Sequence, residues 1–152
     1  MRLVSILLSF LLAGAACGGH PAHIAKDTDQ PPPPTKSLYE RLGGTPGITA
    51  VVEEFVTTTG KDPRIEQFFV NADIPRLKKL MVEQICQNTG GPCHYTGKTM
   101  KESHATMHVK GGDFDAFIDD LAKTLAKLNV PAPETKEVLT AFQSLKTEVV
   151  TE

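Results

Sequence analysis

The segment GGPCHYTGKTMKESH, residues 90–104, contains the most informative local pattern in the chain. Thr99 is followed three residues later by Glu102, which is the spacing of a capping box and predicts the start of a short helix. His104 would lie at the end of that helix, and His108 follows four residues later. A histidine in this position is either a packed or surface side chain or a metal ligand, and its spacing alone does not decide between them.

The residues before this segment also show a helical pattern. Ser37 and Glu40 form another capping box, and the Gly-Gly pair 43–44 is expected to end that helix. The Thr-Pro pair 45–46 predicts a new helix start, and Gly60 is expected to stop that helix. The stretch DPRIEQFF, residues 62–69, predicts a brief helical turn. Asp73 then predicts the start of a longer helix, which NTGGP, residues 88–92, ends.

The rest of the chain predicts two long amphipathic helices. The Gly-Gly pair 111–112 is expected to end the His104 helix, and Asp113 is expected to cap the first long helix. NVPAPE, residues 129–134, separates it from the last helix. No segment alternates in the manner of a strand. The expected fold class is therefore all-α, with short helices early in the chain and two long helices late.

The first 36 residues differ in composition from the rest. The apolar run at residues 3–16 is too short for a comfortable membrane span and is typical of a secretory signal peptide. Cleavage after Ala15 and a lipoprotein-like box ending at Cys17 are both compatible with AGAAC, and we favour the lipoprotein. Residues 1–17 are therefore predicted to direct export to the periplasm or cell envelope, with membrane anchoring through lipidated Cys17. Residues 18–36 contain four consecutive prolines and predict a stiff linker, in which His20 and His23 are polar linker residues.

Residues 37–152 are long enough for one domain with one core. The net charge is −2 and both signs are mixed along the chain, which argues against a nucleic-acid partner. If Cys17 is lipidated, Cys86 and Cys93 remain, and an exported protein is expected to join them in a disulfide. Two free thiols are the alternative.

Four stretches together resemble the truncated haemoglobins of the first group: SLYERLGG, RIEQFF, GGPCHYTGKTMKESH and FDAFIDDLAKTLAKLNVP. The resemblance extends over residues 37–150, in the order and with the spacing of that family. It implies a globin reduced to a two-over-two helical sandwich around haem b. It also implies reversible binding of diatomic gases, namely oxygen, nitric oxide and carbon monoxide, and a reductase of unknown identity as a partner.

The resemblance carries individual roles to matching positions of this chain. His104 matches the proximal histidine that ligates the iron. Phe55 and Phe69 match two pocket aromatics, and Leu77 and Met81 match two residues of the distal helix. Arg76 and Tyr95 match residues near the haem propionates, and Met100 matches a proximal contact. His108 is expected to be a surface or propionate-side residue, with a role as second ligand as the alternative.

The chain departs from the family at two distal positions. Val56 stands where the family usually has tyrosine, and Met81 where it often has glutamine. Without those donors a bound dioxygen loses a hydrogen bond, so the pocket is expected to favour carbon monoxide and nitric oxide. Gln84 or Lys78 is the alternative donor.

No catalytic residue is expected in this pocket. Nitric oxide dioxygenation is expected to be inefficient, and peroxidase chemistry would be a side activity. The alternative function is an electron-transfer protein in which Met81 is the sixth ligand opposite His104.

Overall fold

The computed structural model describes residues 36–152, so the predictions for the signal peptide, the lipoprotein-like box and the linker up to residue 35 lie outside the described residues. The described part is helical and contains no strand. Its helices are α1 (Leu38–Arg41), α2 (Gly44–Thr59), a 3-10 turn (Glu66–Phe68), α3 (Ile74–Asn88), α4 (Met100–His104), α5 (Gly111–Lys127), α6 (Ala132–Gln143) and α7 (Lys146–Val149). None of these helices is long and apolar enough to cross a membrane.

Both predicted capping boxes are confirmed. At the start of α1, the main-chain N–H of Ser37 donates to the carboxylate of Glu40 at 2.9 Å, and the N–H of Glu40 donates back to the Ser37 hydroxyl at 3.2 Å. At the start of α4, Thr99 and Glu102 make the same two bonds at 3.0 and 3.2 Å. These bonds satisfy main-chain donors that a helix start otherwise leaves free, so even these very short helices have defined ends.

The start of α2 differs from the prediction. Its N-cap is Gly43, with φ of 85°, and not Thr45. The left-handed backbone of Gly43 turns the chain from α1 directly into α2, because glycine adopts this conformation without a steric penalty. A Cβ on Gly47 would lie 1.9 Å from the carbonyl oxygen of Leu42, so the absence of a side chain lets α2 pass this close to the end of α1. The hydroxyl of Thr45 pairs instead with that of Tyr39 at 2.9 Å.

The Gly-Gly pair 111–112 has a different role from the one predicted. The helix α4 already ends at His104, and Gly111 begins α5, so the pair 111–112 starts a helix and ends none. Asp113 lies in the first turn of α5, where its carboxylate accepts from the N–H of Lys110 at 2.9 Å. The turn between the two helices includes His108, whose φ of 53° is in the left-handed region.

The distribution of helix lengths also corrects the prediction. Both α2, with 16 residues, and α3, with 15, are long, so the early helices are not all short. The last predicted helix is divided, because α6 ends at Gln143 and the separate α7 begins at Lys146. The proline-rich stretch before α6 contributes Pro133 to its first turn, a position that proline tolerates because no helical partner is lost.

The long helices pack in a layered arrangement in which α2 contacts α3 and α5, and α5 contacts α6. The buried core between them is apolar: Ile48, Val52, Phe55, Val56, Ile85, Cys86, Leu121, Leu125 and Val138. Phe55 is only 1% exposed, and its ring meets that of Phe117 edge-on at a centroid distance of 4.8 Å. This core fixes α3 and α5 relative to one another through α2.

One carboxylate is buried in this packing. Asp120 on α5 is 1% exposed, and its Oδ1 lies 3.4 Å from Arg64 Nη2 and 3.1 Å from Lys123 Nζ. Its Oδ2 has no hydrogen-bond partner within residues 36–152. Burial raises the pKa of the Asp120 carboxyl, whereas hydrogen bonds from Arg64 hold the pKa of the neighbouring Asp62 well below its usual range. Through its ion pairs with Asp119 and Asp120, Arg64 ties the corner after α2 to α5.

Candidate functional site

A cavity of about 360 Å³ lies beside this core and has a mostly apolar wall. It receives side chains from the 3-10 turn and from α3, α4, α5, α6 and α7. Its lining residues are Ile65, Phe68, Phe69, Ala72, Leu77, Leu80, Met81, Gln84, Tyr95, Met100, Ser103, His104, Met107, Val109, Asp113, Phe114, Phe117, Phe142, Leu145 and Val149. Such a cavity is suited to a largely apolar group with a few polar attachment points.

His104 is the residue in this wall with the clearest capacity to bind a metal. Its Nδ1 lies 2.8 Å from the carbonyl oxygen of Met100, one helical turn earlier. A carbonyl oxygen only accepts, so Nδ1 carries the proton and Nε2 keeps its lone pair. The imidazole is therefore in the tautomer of a metal ligand, and the bond to Met100 restrains its orientation.

The helix α3 presents a single stripe to the cavity. Leu77, Leu80, Met81 and Gln84 all line it, at the spacing of one helix face. The first three have no hydrogen-bond donor, and Gln84 is the one polar side chain that α3 contributes to the lining. Most of this wall is therefore as apolar as the sequence indicates.

Tyr95 lines the cavity, but its hydroxyl differs from the expectation. The hydroxyl donates to the carbonyl oxygen of Lys98 at 2.8 Å, so its proton is not available to a propionate. Its main-chain N–H donates to the side-chain oxygen of Gln87 at 2.8 Å. Burial of the ring, with the charge of Glu83, raises the pKa of Tyr95. Tyr95 thus acts as an apolar wall and as a brace for its own loop.

The other predicted contacts fall into two groups. Phe69 and Met100 line the cavity, together with Leu77 and Met81. Phe55 and Arg76 are not among the lining residues. Phe55 is core and supports the cavity through Phe117, while Arg76 is exposed in the first turn of α3, where its N–H completes the Asp73 cap at 3.1 Å.

Val56 and Lys78 do not line the cavity. Both border a more open depression of about 350 Å³, which shares only Phe69 with the cavity lining. Lys78 forms an ion pair with Glu53. The structure therefore removes Lys78 from the candidate donors and places Val56 behind the cavity wall.

His108 does not line the cavity. Its side chain is 74% exposed, and its Nδ1 lies 2.7 Å from a carboxylate oxygen of Glu152. This is the surface position expected for it. The structure gives no support to a role as a second ligand.

Cys86 and Cys93 connect the end of α3 to the loop that leads to α4. Cys86 is fully buried, and the two Cα atoms are 5.7 Å apart, within the usual range for a disulfide. The predicted disulfide is compatible with this distance. The loop between Cys93 and α4 carries Tyr95, so such a link would lie close to the cavity wall.

Sequence reasoning missed the wall formed by the late helices. Phe114, Phe117, Phe142, Leu145 and Val149 all line the cavity. Each belongs to an apolar stripe that the sequence does show, but a stripe looks the same whether it faces the core or a cofactor.

The chemistry of the cavity suits haem. Among residues 36–152 no group of three or more histidine, cysteine or acidic side chains is placed to hold a metal ion. A single imidazole on an apolar wall can hold a metal only if that metal brings its other ligands, as the iron of a porphyrin does. His104 would be the protein ligand, and the apolar lining would cover the two faces of the ring.

Comparisons with known proteins agree with this geometry. The sequence profile of the bacterial-like globin family matches residues 37–151. The group 1 truncated haemoglobin of Tetrahymena pyriformis is 38% identical over 95 residues, which is 62% of this chain and 78% of that protein. That of Mycolicibacterium paratuberculosis is 33% identical over 115 residues, covering 76% and 85%.

Solved structures give the same result for the fold. The crystal structure of the Tetrahymena pyriformis truncated haemoglobin in its Fe(III) form has a TM-score of 0.73 at 32% identity, covering 77% of this chain and all of the other. The 2/2 haemoglobin of Synechococcus, in the cyanomet state with covalently attached haem, has a TM-score of 0.72 at 30% identity, with coverage of 77% and 100%. The chain therefore belongs to the bacterial-like globin family, as a two-over-two, group 1 truncated haemoglobin, and haem is the cofactor that this family implies.

Proposed function

We propose that this chain binds haem b through His104 and reversibly binds diatomic gases in the apolar cavity. The observation that carries the proposal is the 2.8 Å distance from His104 Nδ1 to the Met100 carbonyl oxygen: this contact commits Nδ1 and leaves Nε2 for iron on a wall of the cavity. Haem supplies the iron atom to which a gas molecule binds. The chain supplies the proximal ligand, the apolar enclosure and the exclusion of water.

The apolar side chains of α3 favour weakly polarised gases. Leu77, Leu80 and Met81 offer no hydrogen bond to a guest in the cavity. The lack of a donor weakens the binding of carbon monoxide and nitric oxide only slightly. Bound dioxygen carries partial negative charge, so its binding is weakened more. The chain is thus a gas-binding protein that holds dioxygen weakly. An electron donor of unknown identity would return oxidised haem iron to the ferrous state.

An absorption spectrum of the ferrous protein, before and after carbon monoxide, tests this function. The expected result is a high-spin, five-coordinate spectrum that converts to a low-spin carbonyl spectrum. Sharp low-spin bands before gas is added would support the alternative, an electron-transfer protein with Met81 as the second axial ligand. Absence of a Soret band from the protein fraction, once unbound haem has been removed by gel filtration, would contradict both.

We also propose that the protein is exported to the periplasm or cell envelope. The support is the apolar run at residues 3–16, followed by Cys17 and the proline-rich linker. The Cα atoms of Cys86 and Cys93 are close enough for a disulfide, which an oxidising compartment would favour. Incorporation of labelled palmitate by the full chain, and its loss in Cys17→Ser, would identify the lipid anchor. An unlabelled, soluble protein found in the periplasm would indicate ordinary cleavage after Ala15 and no lipid anchor.

A further inference from the structure

We propose that the side-chain amide of Gln84 binds an ionised carboxylate of the cofactor at one edge of the cavity. The inference rests on the proposed haem-binding function and identifies a residue that positions the cofactor. It assigns to Gln84 a role that the family resemblance implies for Tyr95 and Arg76. In this structure the Tyr95 hydroxyl donates to Lys98 and Arg76 does not line the cavity, whereas Gln84 does.

The neighbours of Gln84 define this edge. The Thr96 hydroxyl donates to the Glu83 carboxylate at 2.8 Å, and the Tyr95 N–H donates to the Gln87 side chain at 2.8 Å. These two bonds hold residues 95–96 against the part of α3 that contains Gln84. Gln84 and Tyr95 therefore lie together at the end of the cavity that this loop borders.

The hydrogen-bonding state of Gln84 indicates what kind of group it meets. The side chain is half-buried, lines the cavity and makes no hydrogen bond to any described residue. A half-buried amide at the edge of an apolar wall can bond to water while the cavity is open, and a cofactor that covers the amide must replace that bond. Its NH₂ group offers two donors, and the carboxylates of haem are acceptors only, so the two are complementary. A hydrogen bond to a charged acceptor is also stronger than a neutral one.

The position of Gln84 along α3 favours the carboxylate over a bound gas. Gln84 is the last of the four lining residues of α3, about 10 Å along the helix axis from Leu77. Its neighbour Ile85 is buried in the core, so Gln84 lies at the margin of the helix face. A group at the margin of the cavity meets the edge of a flat cofactor, and haem carries its carboxylates on one edge.

A comparison of haem with haem dimethyl ester isolates this contact, because the ester has no ionised carboxylate. Release of each from the ferric protein to an excess of an apoglobin acceptor is followed by the Soret band. Gln84→Met removes the donors and keeps the length of the side chain, and Gln84→Lys keeps a donor. Gln143→Met is the matched control, since Gln143 is exposed on α6 and does not line the cavity.

The inference predicts that Gln84→Met releases haem about tenfold faster than the native protein, the effect of one hydrogen bond to a charged group. Release of the dimethyl ester should be unchanged by this substitution, Gln84→Lys should retain haem as well as the native protein does, and Gln143→Met should behave as native with both.

Three results would overturn the inference while the proposed function stood. These are equal acceleration of haem and ester release, no acceleration of either, and faster dioxygen release with unchanged haem release. The last would mean that the amide faces the gas. Failure of the native protein to take up haem would instead remove the proposed function.

Discussion

The Nδ1 atom of His104 lies 2.8 Å from the carbonyl oxygen of Met100, so the orientation of the imidazole depends on a helix of only five residues. A main-chain carbonyl cannot be removed by substitution, but the helix that presents it can be weakened. The capping box of Thr99 and Glu102 holds the start of α4 through two hydrogen bonds. The geometry of the candidate iron ligand is thus linked to a surface threonine.

Replacing Thr99 by Ala should therefore loosen the cofactor. Loss of the cap should cost about 1 kcal/mol of stability and should release haem several-fold faster, because α4 no longer holds the ring. Ser37→Ala is the matched control, since it breaks the same kind of box on α1. It should cost a similar free energy of unfolding and leave haem release unchanged. Thermal melting measures the free energy of unfolding, and haem transfer to an apoglobin measures the release rate. Equal haem loss from both variants would mean that the stability of α4 does not determine the orientation of His104.

Met81→Gln should slow the release of dioxygen. Met81 lines the cavity from α3, and glutamine has a similar length but adds a donor. One hydrogen bond of about 1.4 kcal/mol corresponds to release about ten times slower. Carbon monoxide release, measured by stopped flow on the same samples, should change little and serves as the internal control. An unchanged dioxygen rate would mean that position 81 does not face the bound gas.

The disulfide between Cys86 and Cys93 should be detectable without perturbing the protein. The intact mass of periplasmic material should be lower than that of the reduced chain by two hydrogen atoms. Replacing both cysteines by serine should reduce the free energy of unfolding by about 2 to 2.5 kcal/mol, because the closed loop is short. Titration of two free thiols in the native protein would refute the pairing.

Asp120→Asn should stabilise the protein at pH 7. Because burial raises the pKa of the Asp120 carboxyl in the folded protein above its unfolded value, the folded state binds more protons between those two values. Stability therefore falls as the pH rises through this window, and the charged form is penalised above it. The asparagine variant should melt at a higher temperature at pH 7, and its advantage should shrink as the pH is lowered through the raised pKa towards 4. Asp115→Asn, at an exposed position of the same helix, is the control and should not raise the melting temperature at pH 7.

Local signals in the sequence predicted the helix starts that depend on local bonds. The capping boxes at Ser37 and Thr99 are complete within four residues, so no tertiary contact is needed to define them. The Gly-Gly pairs were harder to interpret, because a glycine can end one helix or begin the next. Gly43 and Gly111 each precede or open a helix, and the packing of the neighbouring elements decides this.

The direction in which a side chain faces was the other limit. Val56 and Lys78 border the open depression and Gln84 borders the cavity, although helical spacing allowed all three to lie on the distal side of the pocket. A rotation of a helix by a fraction of a turn exchanges such residues, and only its contacts fix that rotation. Tyr95 shows a further limit, since the bond from its hydroxyl to Lys98 depends on the shape of its loop.

The most direct test of the central claim is haem binding by His104→Gly with and without added imidazole. The variant should take up little haem alone, and millimolar imidazole should restore a Soret band by occupying the vacated position, since the claim is that Nε2 of this one ring holds the iron. His108→Gly, at an exposed position with positive φ, should bind haem as the native protein does. Native-like haem binding by His104→Gly without imidazole, or equal loss in both variants, would contradict the assignment of His104 as the proximal ligand.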